Sequence, residues 1–592
     1  MISTSNEWKK LYKPRFDENG DLEPDSLFLP ESNVNIICNN DVVDTSNWTI
    51  KTSKAASISN AAKLLSSSGA INREEKKIAS LEWNFWVLDG SYEVPTESTK
   101  FNGYISDAIC DERRVFSEPP QITISSSQKV LKDYATLKFA YGLSEYATDC
   151  TIQSNNEQSV YVMEEYDDPY IHISIPGDES GSFTLSIIKW SMPYRRARIS
   201  EFLVGLRIFF DKSNLSKFTH QRTTDMVCAE LPQNDCNFSV LDIDCDWDVD
   251  NKYAKYANMV NSNTIFALYY GYKLESGWDY KQVDVFYLES LDRPQNGIEA
   301  NFKLESNINR KTQTFFDTAT DNDNYNWTSY DKLIQFIAQK SGTTISRTGG
   351  NFASSVKDKL CKDYIRPTQK LEYYKRPMKE WLQLVAAVIN TFILRNPDGT
   401  FTLKGLVNTT GAITNKTVID NISLDLCFSY PEIERISEIG KIVLAMLTIP
   451  EYRTSTSIDS NWSDPNVGTG TTVIYPPSRQ TKIYGNGVEQ TAENKIIALG
   501  PNPSSSLETP PMFTISDGLH TSYMNYLYTF ISGARKIKVN CIVNPAWQVG
   551  DLISMELKNG TYANGYIIDI DVEYSGLIKG NVTILAPKSL NS

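Results

Sequence analysis

Histidine is scarce in this chain, which limits the chemistry it can do. Only His172, His220 and His520 occur among 592 residues, too few for an imidazole metal site or for several acid–base centres. No GxSxG elbow, HExxH pair or Walker A loop is present, and Gly349-Gly350 lacks both the loop spacing and the Lys-Ser/Thr of a phosphate cradle. The nine cysteines, Cys38, Cys110, Cys150, Cys228, Cys236, Cys245, Cys361, Cys427 and Cys541, are odd in number and form no CxxC. They read as reduced, mostly buried thiols of a chain made in a cytoplasm. His172 falls in an alternating segment and reads as a structural histidine. These residues nominate no catalytic, cofactor-binding or metal-ligating side chain, so the chain reads as no enzyme.

The most conspicuous local pattern is acidic. Asp242, Asp244, Asp246, Asp248 and Asp250 occupy alternate positions. On a strand they would share one face, with Ile243, Cys245, Trp247 and Val249 on the other. A calcium loop starting at Asp244 would need Gly and Glu where Val249 and Lys255 stand. The row reads either as a solvated face or as the wall of a channel that repels a passing polyanion; duplex DNA carries one charge per about 1.7 Å. Asp321-Asn-Asp-Asn324 reads as a loop. Tyr194-Arg-Arg-Ala-Arg198 is a small basic patch leading into apolar residues, and reads as arginines salt-bridged at a domain edge rather than a phosphate site.

The elements that must position these residues are mainly strands. The 67 aromatics, 11% of the chain, together with Thr, Ile and Val, favour β structure. Gln121-Ile-Thr-Ile-Ser125, Tyr170-Ile-His-Ile-Ser-Ile175 and Ser182-Phe-Thr-Leu-Ser-Ile-Ile-Lys-Trp190 alternate apolar with polar. One short helix is expected between about 54 and 80. Thr328 and Asp331 have capping-box spacing before Leu333, Ile334, Ile337 and Ala338, with Gly342 ending that helix. A second helix from Pro377 carries Met378, Trp381, Leu382, Val385, Val388 and Ile389 on one face, with Trp381 as its core anchor. It leads into a hairpin, Phe392-Ile-Leu394 and Phe401-Thr-Leu403, around Asn396-Pro-Asp-Gly399. Strands return from about 430, with Ser/Thr/Pro/Gly/Asn-rich loops at 451–475 and 500–512 and late strands at 536–543 and 565–572.

Size and charge narrow the classes. At roughly 100–200 residues per domain, the length implies about three to five domains. The formal net charge is −14, the wrong sign for a protein that coats nucleic acid. The N-terminus shows no secretory h-region. The most apolar stretch, 381–394, is shorter than the roughly 20 residues that span a bilayer.

Three stretches carry a resemblance. Asn544-Pro-Ala-Trp-Gln-Val-Gly-Asp551, Leu552-Ile-Ser-Met555, Gly565-Tyr-Ile-Ile568 and Glu573-Tyr-Ser-Gly-Leu-Ile-Lys-Gly580 resemble the closing β-barrel segment of bacteriophage tail hub or tail-tip proteins, the Tal-like baseplate hub family. The helix and hairpin at 377–403 are similar to the α+β domain of the same hubs. Leu81-Glu-Trp-Asn84, Val87-Leu-Asp-Gly90, Gly103-Tyr-Ile-Ser106 and Pro193-Tyr-Arg-Arg-Ala-Arg-Ile199 resemble structural proteins of phages of Gram-positive hosts, where a galactose-binding-like jelly roll ends in an Arg-rich strand.

The resemblance implies a mainly β, multi-domain chain with two tube-type β-barrel domains, a jelly-roll sandwich and an α+β domain. The expected boundaries are 1–100 for the start of the first barrel domain, 101–200 for the sandwich, 201–327 for the rest of that barrel, 328–428 for the α+β domain and 429–592 for the second barrel. It also implies a structural homotrimer in the virion, at the tail tip or baseplate, made in the host bacterial cytoplasm. That ring would join a sixfold tail tube to a threefold tip. Its partners would be the tail tube, distal tail or baseplate proteins and the tape measure protein. DNA would cross the lumen past the acidic row without binding, and no cofactor or membrane span is called for. Two other readings stand beside it: a binding protein for cell-surface carbohydrate, with Trp83, Trp86 and Trp190 as stacking candidates weighed against a core role, and a cell-wall glycan hydrolase built on an unnominated carboxylate pair.

Overall fold

The computed structural model describes most of residues 31–306, with gaps chiefly at 41–47, 65–76, 140–144, 163–169, 175–178 and 227–230. Beyond these it describes 330–348, positions between 382 and 406, most of 413–447, short strands between 452 and 514, and 526–591 with one gap at 527–528. The described residues are mainly β, in several sheets that are mostly antiparallel.

The largest sheet has 13 strands and is assembled from both halves of the chain. Its path runs Leu206–Phe210, Ser32–Asn40, Ile265–Leu274, Gly277–Asp292, Glu299–Glu305, Asn234–Leu241 and Leu215–Thr223, then Tyr562–Tyr574, Ile578–Ala586, Arg535–Ile542 and Glu432–Arg435. Alternation drives it. Val34, Ile36 and Cys38 are fully buried from the first strand, as are Ile570, Val572, Val582 and Ile584 near the C-terminus. Two separate barrels were expected. Instead Leu215–Thr223 pairs directly with Tyr562–Tyr574, from Thr219↔Glu573 to Thr223↔Asp569. Among the described residues the strand path is open at both ends, and no closed barrel forms.

A two-sheet sandwich interrupts this sheet. Tyr104–Ile109, Arg196–Val204, Tyr134–Phe139 and Tyr170–Ser174 form one layer; Thr49–Thr52, Gln121–Leu131, Glu179–Trp190, Ala147–Ser154 and Glu157–Val162 form the other. Phe183, Leu185 and Ile187 alternate into the space between them, against Ile122, Ile124, Leu137 and Phe202. The strand at Thr49–Thr52 belongs here, paired with Ile122–Ser125. Among the described residues the sandwich therefore begins near 49, not at the expected 101, and of the N-terminal part only Ser32–Asn40 joins the large sheet. Of the expected short helix between 54 and 80, the described residues show the 3-10 turn Ala61–Lys63.

The sandwich is inserted between two neighbouring strands. Asn40 pairs with Leu206, and the register continues to Ile36↔Phe210. Its last strand, Arg196–Val204, passes through one residue, Gly205, into Leu206–Phe210 of the large sheet. Gly205 has φ +112, a conformation that side chains disfavour. Thr136 Oγ1 donates to the Gly205 carbonyl at 2.7 Å and accepts from the Arg207 N–H at 3.1 Å. The buried pair Arg207–Glu201, 3.1 Å apart, straddles the same kink.

Of the α+β unit's expected elements, the first helix and the hairpin are described, while most of the second helix, from Pro377, lies outside the described residues. Helix Tyr330–Ser341 buries Ile334 and Ile337. Leu382, Val385, Ala386 and Ile389 are buried, while Trp381 and Asp321-Asn-Asp-Asn324 lie outside the described residues. The hairpin pairs Thr391–Arg395 with Phe401–Gly405, which Ile345–Thr348 joins in parallel. Asp398 holds the turn by accepting from Thr400 N at 3.0 Å. This unit fastens to the large sheet: a Cβ at Gly550 would sit 2.8 Å from the Phe392 ring, and Lys404 Nζ donates to the Gly550 carbonyl at 3.2 Å. The stretch 451–475, expected as a loop, contains the paired strands Tyr452–Thr454 and Thr472–Ile474.

Candidate functional site

The Arg-rich segment 194–198 organises one edge of the sandwich. Tyr194 sits at φ +59, turning the chain so that Arg195 and Arg198 enter the protein. Arg198 is 2% exposed, and its Nη2 meets the Glu82 carboxylate while also donating to Ser80 Oγ at 2.8 Å. Its Nη1 donates to Glu82 Oε1 at 3.0 Å. Arg195 Nε donates to Glu145 Oε1 at 3.0 Å, and Glu145 Oε2 accepts from Trp190 Nε1 at 3.3 Å. Both guanidiniums lie over the Phe85 ring, at 4.0 Å for Arg198 and 5.3 Å for Arg195. Two arginines thus balance two glutamates out of water. Burial is the main influence on Glu145 and raises its pKa above the usual 4.5, against the pull of Arg198 and Arg195.

This ionic bed supports an exposed aromatic surface. Arg195 Nη1 donates to the Trp83 carbonyl at 2.5 Å and to the Tyr194 carbonyl at 3.4 Å. One guanidinium therefore holds the backbone of two residues whose side chains face outward. Trp83 is 76% exposed, Tyr194 45% and the neighbouring Leu81 86%. An exposed indole on a braced backbone loses little conformational entropy when it stacks on a flat apolar face such as that of a sugar ring.

The other residues singled out by sequence fall as follows. The described residues of the acidic row form no strand; the chain turns at 243–244, 246–247 and 250. Asp242 is buried and accepts from Asp246 N at 2.7 Å and Trp247 N at 3.3 Å, and a carboxylate capping backbone donors cannot line a wall. Asp248 pairs with Arg293. Trp247 is buried but Ile243 is 75% exposed, so the two-face pattern fails. Asp244 and Asp250 remain exposed. His172 Nδ1 lies 3.2 Å from Thr136 Oγ1, and its ring meets Tyr256 edge-on at 5.8 Å. Trp190 is fully buried, Trp83 is not, and Trp86 and His520 lie outside the described residues.

Sequence reasoning missed a second buried cluster, where the α+β unit meets the large sheet. Asp284 lies between Arg395 Nε at 2.8 Å and His220 Nε2 at 3.6 Å, and accepts from Asn234 Nδ2 at 2.6 Å. His220 Nδ1 is 2.6 Å from the Tyr270 hydroxyl. Arg222 Nη1 donates to the Trp547 carbonyl at 3.1 Å. Burial, with Arg222 and Arg395 nearby, pushes the His220 pKa down to about 4 despite Asp284. The cluster is closed to solvent, so it serves structure. Asp420, which accepts from Trp547 Nε1 at 2.7 Å, was also not singled out.

No family model matches the chain, and no curated protein matches it. Among solved structures, the 43 kDa tail protein of prophage MuSo2 from Shewanella oneidensis is 8% identical, covering 65% of this chain and 96% of its own, at a TM-score of 0.38. The tail protein from Neisseria meningitidis MC58 is 9% identical over 65% and 95%, at 0.37. The family 32 CBM of C. perfringens NanJ, in complex with galactose, is 7% identical over 28% and 98%, at 0.19. At these scores the functional reading rests on the residues of this chain.

Proposed function

We propose that this protein is a structural hub of a bacteriophage tail or tail-like particle, with the sandwich as a projecting module that contacts carbohydrate on the host surface. The observation that carries this reading is the insertion of the sandwich between the paired strands Ser32–Asn40 and Leu206–Phe210, in a sheet extended on its other side by the C-terminal strands Tyr562–Tyr574, Ile578–Ala586 and Arg535–Ile542. That arrangement fits the hub resemblance: a scaffold made from both ends of the chain, holding an inserted module and an α+β unit. Three copies would form the ring, joined to the tail tube, the tape measure protein and distal tail proteins. The open ends of the large sheet offer edges that a neighbouring copy would cover. Of the acidic row, Asp244 and Asp250 would face the DNA channel. The reading includes no catalytic step.

Light scattering after size exclusion tests it, with a mass of three 66.9 kDa chains expected. A monomer that mixing with tube protein does not assemble into rings would overturn the hub. A second reading, a carbohydrate-binding protein without a tube role, is favoured by the exposed Trp83 and Tyr194. A monomer that binds host cell-wall polysaccharide would select it.

A further inference from the structure

Cys427 and Cys541 lie directly opposite one another. They form an antiparallel bridge that the strand Glu432–Arg435 continues against Arg535–Ile542 after an interruption at 429–431. Phe428 N donates to the Asn540 carbonyl at 2.9 Å, while the Cys427 N–H is used on Leu424 O at 3.0 Å. This pattern makes the cysteines a non-hydrogen-bonded pair of the ladder. Such pairs have Cα atoms about 4.5 Å apart and side chains leaving the same face. A disulfide spans Cα separations of about 4.4–6.8 Å. Cys541 is fully buried, and Cys427 packs half-buried against the same apolar cluster. The Cys427 thiol donates to the Ser423 carbonyl at 3.2 Å, and a turn about χ1 exchanges that bond for the facing sulfur.

We propose that Cys427 and Cys541 are an oxidisable pair that closes to a disulfide when the protein meets a small-molecule disulfide such as oxidised glutathione. Cys427, the more open thiol, attacks as thiolate and displaces one glutathione thiolate, leaving a mixed disulfide. Cys541, after losing its proton, attacks the Cys427 sulfur and displaces the second. One oxidised glutathione becomes two reduced molecules, which take up the two thiol protons. Burial pushes the Cys427 thiol up to about 11, so exchange is slow at neutral pH and speeds up as pH rises. The bond would tie the end of the α+β unit to the C-terminal strands. It would also close residues 428–540 into a loop, including the Ser/Thr/Pro/Gly-rich stretches at 451–475 and 500–512. The proposal stands whether or not the chain is a hub.

The test incubates the whole protein with oxidised glutathione at mildly alkaline pH, followed by acid quench, denaturation, alkylation and peptide mass spectrometry. The expected result is one cross-linked peptide pair holding Cys427 and Cys541, with both sites losing alkyl label together and regaining it after reduction. Cys427→Ser should leave Cys541 fully alkylated. Two results overturn the proposal: both thiols remain alkylated, or a stable glutathione adduct builds up on Cys427 while Cys541 keeps its label.

Discussion

The sandwich and the large sheet both bury arginine, and they do so differently. In the sandwich, Arg195 and Arg198 meet Glu82 and Glu145, charge for charge, directly beneath an exposed Trp83. Where the large sheet meets the α+β unit, Arg222 and Arg395 share the nearby Asp284 with a neutral His220, and nothing from the cluster reaches the surface. The balanced cluster supports a surface. The unbalanced one is a fastening between two units, and burial, with Arg222 and Arg395 adding to it, keeps His220 unprotonated.

Breaking the fastening should have the largest effect. Asp284→Asn leaves Arg395 buried without its counter-charge, and should cost about 3–5 kcal/mol in urea unfolding. An unchanged midpoint would mean the cluster relaxes without the acid. Acidification probes the same site. The folded pKa of His220, about 4, lies below the ordinary 6.5. The unfolded chain therefore binds the proton first, and stability falls as pH drops from 6.5 to 4. The loss should be about 3 kcal/mol, and His220→Gln should flatten that part of the profile. Glu145 has the opposite sign: its folded pKa is raised, so its contribution weakens as pH rises above 4.5. The two regions should respond to acid in opposite senses, which hydrogen exchange resolved by region would detect.

Smaller effects follow in the sandwich. Glu82→Gln keeps Glu145 within 3.6 Å of Arg198, so it should cost about 2 kcal/mol, and the thermal transition of the sandwich reads it. Trp83→Ala should change stability by less than about 0.5 kcal/mol, because the side chain is exposed. It should still abolish retention on host cell-wall polysaccharide in affinity electrophoresis. Retention equal to wild type would remove the glycan role from this loop.

Much of the fold was legible because its signals are local. Phe183, Leu185 and Ile187 alternate, Asp398 and Gly399 make a turn, and the helix at 330–341 has its acid at the start and Gly342 at the end. The acidic row shows where local reasoning fails. Alternation predicted a strand, but Asp242 caps its own following backbone, and Cys245 at φ +59 turns the chain. The two ionic clusters were invisible for another reason. Glu82 lies 116 positions from Arg198, and Asp284 is fixed by Arg395 from another unit. No periodicity links such partners. The merger of two expected barrels into one sheet is long-range pairing of the same kind.

The insertion point has a consequence for exchange. Because Asn40 and Leu206 are already partners, the scaffold treats everything between them as the loop of a hairpin. Loop-closure cost grows only slowly with length. Residues 41–205 could therefore be replaced by a short turn, or by a different module with closely spaced ends, without shifting the scaffold's strand register. The inserted module can change independently of the scaffold, with Thr136 and Glu201 the joint contacts a new module must replace or release.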